Sequence, residues 1–214
     1  MTQESGKFNS IEYRSAQPPD ANLGSRLIYE TFPKLATHMI GLGEPERAKK
    51  IIAKLFLQPG HRLSHEFTQF VIHSDRVVGM FIAYPGRRLL TLNWRFARLL
   101  IIQYTMIEKF VLMQRGLPMI FIQEAHKDEY LLSNLAVKKG LRGKGIGSQV
   151  LSYVADKAKQ AGYQKLSLMV MIDNQDARHF YERQGFITKA IHLESNRRVK
   201  HLGPGYQKMV KELG

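Results

Sequence analysis

Two stretches of this 214-residue chain carry residue types at spacings that suit chemistry. The first, GLRGKGIGSQV from Gly140 to Val150, interleaves glycines with Arg142 and Lys144 and then turns apolar. Glycines permit the backbone conformations in which successive N–H groups face one point, forming an anion nest. A helical pattern from Ile146 onward places a helix N-terminus directly behind that nest, where the dipole favours negative charge. Arg142 and Lys144 can add charge-assisted contacts. Two common phosphate motifs fail here. The G-x-x-x-x-G-K-[ST] loop would need Lys where Ile146 stands. In G-x-G-x-x-G, the third glycine would fall on Ser148 or Val150. The second stretch, NQDARHFYERQGF from Asn174 to Phe186, puts Asn174, Ala177 and Tyr181 on one face of a helix by their spacing of three and four. Read alone, the glycine stretch is also compatible with a flexible basic loop or a plain turn, and Tyr181 with a core tyrosine beside Phe180.

Composition narrows the classes. Lys and Arg number 32 against 18 acids, a net charge of +14, which attracts polyanions or serves solubility. The charge is uneven. Lys138, Lys139, Arg142 and Lys144 surround the glycine stretch, and Arg197, Arg198, Lys200 and His201 form a second cluster. The absence of Cys excludes disulfides, thiolate metal sites and a cysteine nucleophile, and suits a cytoplasmic location. The N-terminal residues lack the apolar core of a signal peptide. The most apolar region, 98–116, has an uncharged run of only nine residues between Arg98 and Glu108, against about 18 or more for a membrane span. No membrane partner is expected. His61 and His65 lie four apart, but HEFTQ is not H-E-x-x-H and no acidic cluster supports it, so no metal is expected. Ser148 is not in a G-x-S-x-G elbow.

The elements that must position these residues follow from periodicity. IEYRSA (11–16) alternates as a short strand, and Asp20 stands as a helix cap before Leu23, Leu27 and Ile28. EPERAKKIIAKLFL (44–57) is amphipathic, with Pro45 suited to its first turn. Residues 65–86 read as a hairpin turning at Ser74-Asp75, and 90–115 as one long apolar helix. EYLLSNLAV (129–137) is a central strand, 145–161 a helix ending at Gly162, and KLSLMVMI (165–172) a second buried strand. A short helix over 174–184 ends at Gly185, and the strands FITKAIHL and YQKMVKEL follow. Strand, glycine loop, helix, strand is a βαβ unit whose loop sits where anionic ligands bind.

In their order and spacing, NLAVKKGLRGKGIGSQVL and LMVMIDNQDARHFYERQGF resemble the acetyl-CoA-binding core of the GCN5-related N-acetyltransferase (GNAT) superfamily. R-x-x-G-x-G at 142–147 matches its pyrophosphate motif, and N-x-x-A-x-x-x-Y-x-x-x-G-F at 174–186 its second conserved stretch. The resemblance is strong over about 128–190 and looser elsewhere. It implies an α/β fold: one domain over 1–214, with a mixed, twisted sheet of about seven strands and helices on both faces. The helix over 90–115 would be an insertion before the fourth strand.

The resemblance also implies roles. Acetyl-CoA would be the co-substrate, its pyrophosphate held by Arg142, Gly143, Lys144, Gly145, Ile146, Gly147 and Ser148. Its pantetheine arm would lie against Leu135, Ala136 and Val137. Asn174 and Ala177 would face the cofactor, and Tyr181 would protonate the departing thiolate, as a phenol of pKa about 10 can. Glu129 would be the base that frees the acceptor amine, with Glu124 and His126 as rivals. With no Cys for an acyl relay, the amine would attack directly in a ternary complex. The acceptor, a small molecule or a peptide or protein amine, would be set by residues 20–122. The net charge favours neutral or acidic acceptors over polyamines. The 90–115 segment would cap the acceptor site or join a homodimer. Two other readings are a CoA sensor without catalysis and a nucleic-acid-associated protein; nucleic acid is the less favoured partner, since no RNA-binding motif or aromatic–basic stripe accompanies the charge.

Overall fold

The computed structural model describes residues 11–120, 123–194 and 202–214. The second basic cluster, 197–201, lies outside the described residues. The chain forms one seven-stranded sheet with strands β1 (Glu12–Ser15), β2 (Thr68–His73), β3 (Arg76–Pro85), β4 (Tyr130–Val137), β5 (Lys165–Met171), β6 (Ile187–Leu193) and β7 (Gly205–Glu212). Their spatial order is β1-β2-β3-β4-β5-β7-β6. Every pairing is antiparallel except β4 with β5. That parallel pair requires a crossover, which α6 (Ile146–Gln160) supplies. The expected strand–loop–helix–strand unit is therefore present.

The sheet divides the core in two. On one face lie α1 (Ala21–Thr31), the short α2 (Pro33–Leu35), a wide turn at Ala36–Ile40, α3 (Pro45–Phe56) and α4 (Leu89–Ile101). Ile28, Ile52 and Phe56 bury against Phe70, Met80, Ile82 and Leu131 there. On the other face Val150, Val154 and Ala158 of α6 meet Phe81, Leu132 and Leu168. Strand alternation explains the split, because neighbouring residues such as Leu131 and Leu132 serve opposite faces.

Local expectations hold at the hairpin, where Ser74 and Asp75 take φ of 48° and 57°, the left-handed pair of a tight two-residue turn. They fail at two places. Asp20 does not cap α1; its carboxylate instead accepts from Arg14 Nη1 and Nη2 at 2.9 and 3.0 Å and from the Gln17 N–H at 2.8 Å. The single helix over 90–115 is two, α4 and α5 (Met106–Ile120), broken at 102–105. Thr105 and Glu108 form a reciprocal cap there, with Thr105 N donating to Glu108 Oε2 at 3.0 Å and Glu108 N to Thr105 Oγ1 at 3.4 Å. This T-x-x-E signal is written in the sequence, but the apolar periodicity on either side masks it. Tyr104 pins the break by donating to the Ile40 carbonyl at 2.6 Å.

His61 and His65 are also accounted for. Their rings approach the Leu55 and Phe56 carbonyls, each at 2.8 Å, and so cap the C-terminal end of α3. Phe56, fully buried, joins α3 to α1 with its ring over Gly24. Phe56→Ala should lower unfolding stability by about 3–5 kcal/mol in urea titrations, through lost burial and the cavity left behind.

Candidate active site

The site is built where β4 and β5 part. The two strands pair at Tyr130↔Leu166, Leu131↔Ser167 and Leu132↔Leu168, and no further. From Ser133 to Val137 the β5-facing edge of β4 is left open. The cause lies in the β3–β4 register, where Ile82 faces Asn134 but Ala83 faces Leu132, so Ser133 is an extra, unpaired residue. Such a bulge bends its strand and increases the local twist, which carries the C-terminal half of β4 away from β5.

The glycine loop stands at the open end. Gly143 and Gly145 take φ of 76° and 83°, conformations that a Cβ disfavours. Gly145 is the N-cap of α6 and no side chain caps the helix, so its first N–H groups are free of a capping side chain. Arg142, Gly143, Lys144 and Gly145 are exposed around this terminus, and Arg142 Nε donates to the Val137 carbonyl at 3.2 Å. Ile146 is buried, and Gly147 and Ser148 are partly so. A Cβ on Gly147 would come within 3.0 Å of Phe180 Cζ, so this glycine allows α7 (Gln175–Arg183) to pack on the start of α6.

That packing brings the two sequence stretches together. Asn174 is the N-cap of α7, its side chain accepting from the Ala177 N–H at 3.3 Å. Tyr181 lies against Phe180 and Phe186, at ring centroid distances of 5.2 and 5.7 Å. Burial pushes its phenol up to about 12, so it keeps its proton across the physiological range. Among the described residues no group hydrogen-bonds its hydroxyl.

Glu129 sits apart from this assembly, immediately before the closed, paired end of β4. Its Oε2 contacts Lys208 Nζ at 2.8 Å and accepts from the His126 N–H at 2.8 Å, with both ionic side chains about 5% exposed or less. The Lys208 contact is an ion pair rather than an aligned hydrogen bond, since Nζ has no partner at hydrogen-bond angles. The rivals are also engaged. Glu124 takes a two-pronged contact from Arg62, at 2.5 and 2.6 Å, while exposed His126 has Nδ1 at 3.1 Å from Gln123 Nε2.

Sequence reasoning missed what lies on the α1 and α4 face of the bulge. Arg62 also reaches Asn93 Oδ1 at 3.1 Å and Ser133 Oγ at 3.4 Å, and Asn134 donates to Thr31 Oγ1 at 2.7 Å. The fully buried Tyr84 hydroxyl lacks an aligned hydrogen bond. Arg62 and Glu124 lie 62 residues apart, and Lys208 and Glu129 are also distant in sequence. No local pattern couples such pairs. Among the described residues there is no cluster of three or more His, Asp or Glu that could hold a metal, and no helix is long and apolar enough to cross a membrane.

The structure thus combines a parallel strand pair that splits with a glycine-rich helix start beside the split. The acetyltransferase (GNAT) family model matches residues 38–186, and the chain belongs to that family. The aminoalkylphosphonate N-acetyltransferase of Salmonella typhimurium (strain LT2) is 38% identical over 55 residues, covering 26% of this chain and 36% of that protein. N-alpha-acetyltransferase 30 of Schizosaccharomyces pombe is 36% identical over 67 residues, 30% of this chain and 45% of that protein. The chain thus spans less than half the length of these curated relatives. Among solved structures, an N-acetyltransferase from Staphylococcus aureus Mu50 superposes with a TM-score of 0.71 at 21% identity, over 93% of this chain and 99% of that one. Another acetyltransferase structure gives 0.66 at 23% identity, over 95% and 100%. At these identities the superpositions speak for the fold.

Lys208→Met should destabilise the protein by about 3–5 kcal/mol in urea unfolding, because Glu129 is left buried without its counter-charge. Lys208→Met combined with Glu129→Leu should recover much of that loss. Asn174→Ala should cost about 1 kcal/mol as a lost cap.

Proposed function

We propose that this protein transfers the acetyl group of acetyl-CoA to an amine by direct attack in a ternary complex. The observation that carries the reading is the parting of β4 and β5 after Leu132 and Leu168, with the α6 N-terminus at its open end. Acetyl-CoA, the co-substrate used by the family, supplies an activated thioester. The residues present fit it. Gly143 and Gly145 shape a cradle that a Cβ would disturb, and the N–H groups from Gly145 to Ser148 with Arg142 and Lys144 would hold the pyrophosphate. The unpaired edge through Leu135, Ala136 and Val137 offers backbone partners to the pantetheine amides. Asn174 and Ala177 would line the same opening.

The acceptor nitrogen forms its bond to the acetyl carbon as the carbon–sulfur bond breaks. The sulfur takes a proton from Tyr181 and the nitrogen loses one. Tyr181, raised to about 12, holds its proton until that moment. Glu129 enters with a restricted role. Its Oε2 is committed to Lys208 and the His126 N–H, so Oε1 would take the amine proton, through water. The acceptor would enter from the face carrying Arg62, Glu124, Ser133 and Asn134. On that side the Glu124 carboxylate is neutralised by Arg62, which contacts both of its oxygens. The net charge of +14 therefore still favours neutral or acidic acceptors.

Two experiments test this reading. Acetyl-CoA at a hundredfold excess over Kd should stabilise the protein by about 2.7 kcal/mol, and Gly145→Asp should abolish the melting shift by placing a carboxylate in the cradle. A full shift in Gly145→Asp would put the cofactor elsewhere. Thiol release should be measured across a panel of cationic, neutral and acidic amines, where Tyr181→Phe should lower kcat by about 10²–10⁴ with KM for acetyl-CoA little changed. Because the phenol is shifted upward, its ionisation removes activity only near pH 12. Below about pH 10 the wild-type and Tyr181→Phe profiles should share one shape at different heights. An unchanged kcat with chemistry rate-limiting would remove Tyr181 from the mechanism.

A further inference from the structure

Helices α4 and α5 turn large apolar side chains away from the core. Trp94 is 70% and Ile107 81% exposed, and Leu90, Ile102, Met106 and Phe110 are also more than half exposed. The arrangement follows helical spacing. Leu90, Trp94 and Ile101 recur along the outer side of α4, and Met106, Phe110 and Met113 along that of α5. Their opposite sides hold the fold together, through Leu92 and Leu100 in the core, Tyr104 on the Ile40 carbonyl and Arg115 Nη1 on the His38 carbonyl at 2.9 Å. An outward apolar surface this large is unusual for a protein exposed only to water.

Charge identifies what covers it. Residues 86–115 contain six basic side chains and one acid. Arg87, Arg88, Arg95 and Arg98 are all exposed. The single acid, Glu108, is held by Arg47 Nη1 at 2.7 Å, and that hydrogen bond, aided by the Thr105 N–H, pulls its carboxyl down to about 2. Arg115 is turned inward, and Arg87 and Arg88 lie over the Tyr163 and Phe67 rings. The exposed Arg95 and Arg98 are therefore the cations that accompany this face, which is apolar with a net positive charge. A second copy placed against it would set arginine against arginine. An anionic bilayer satisfies both properties, with Trp, Phe, Ile and Met entering the interface while Arg and Lys meet the lipid phosphates. Each helix is too short and too charged to span the bilayer, so contact is in the plane of the surface.

We propose that the outer face of α4 and α5 docks this protein on anionic membrane surfaces. The proposal does not depend on the acetyl-transfer reading.

Trp94 is the one tryptophan of the chain, so its fluorescence reports on this face directly. The full chain is mixed with vesicles of phosphatidylcholine alone, or of equal parts phosphatidylcholine and phosphatidylglycerol. Trp94 emission and cosedimentation are then followed at low and high salt. Trp94 emission should move to the blue and the protein should sediment with the anionic vesicles, at least about tenfold more tightly than with the neutral ones. Ile107→Glu with Phe110→Glu should weaken partition by about tenfold or more while leaving the melting temperature near wild type, since both side chains are exposed. Arg95→Ala with Arg98→Ala should weaken it by about tenfold at low salt, and high salt should weaken the wild type similarly. Failure of the wild type to bind anionic vesicles overturns the proposal, as does binding that Ile107→Glu with Phe110→Glu leaves unchanged. A dimer in sedimentation velocity that those substitutions dissociate, without vesicle binding, assigns the face to a second copy and also overturns it.

Discussion

Two parallel strands that begin together and are forced apart set the terms for the rest of this structure. β4 and β5 share three residue pairs and then diverge, because Ser133 is one residue more than β3 can match. A parallel pair normally continues its evenly spaced hydrogen-bond ladder along both strands. Here the bulge leaves the β4 edge open in the middle of the sheet, beside an uncapped helix start. Backbone groups in such a position need hydrogen-bond partners, and an extended ligand with amides can supply them. The opening is thus a property of register, set by one residue's place in a ladder.

Charged groups hold the closed end. Glu129 and Lys208 pair beside the junction, while Arg62 and Glu124 pair near the bulge with Asn93 and Ser133 as further partners. Buried or half-buried ion pairs are costly to form but costlier to break singly, so they fix geometry more than they add stability. Their presence also limits which carboxylates are available for proton transfer. Glu129 retains one oxygen, and Glu124 has both oxygens in contact with a guanidinium. Tyr181 is in the opposite situation, packed between two phenylalanines with its hydroxyl unengaged among the described residues.

The α4–α5 segment connects these matters to the outside. Asn93 meets Arg62 on the inner side of α4, and the adjacent Trp94 faces solvent. One helix therefore contributes to the polar cluster at the bulge and carries the exposed apolar outer surface with Arg95 and Arg98. The break between the helices, capped by Thr105 and Glu108 and pinned by Tyr104, lets α5 fold back along the Ala36–Ile40 turn and α3.

The sequence alone determined the parts that depend on near neighbours. Alternation and helical spacing placed the strands, α3, α6 and α7 with small errors at their ends. Ser74-Asp75 marked the hairpin, and the glycines at 143 and 145 announced a left-handed loop before a helix. Motif order was enough to indicate the family, because the two motif stretches are short and contiguous. It could also have revealed the break at Thr105, where a capping box was overridden by apolar periodicity on both sides. Tertiary structure alone decided the rest. The bulge at Ser133 exists only against the register of β3, and the approach of Phe180 to Gly147 only once two helices pack. The engagement of Glu129 by Lys208 and of Glu124 by Arg62 joins residues far apart in the chain. Such pairings are settled by which side chains the folded sheet brings within a few ångströms, and no spacing along one strand of sequence encodes that distance.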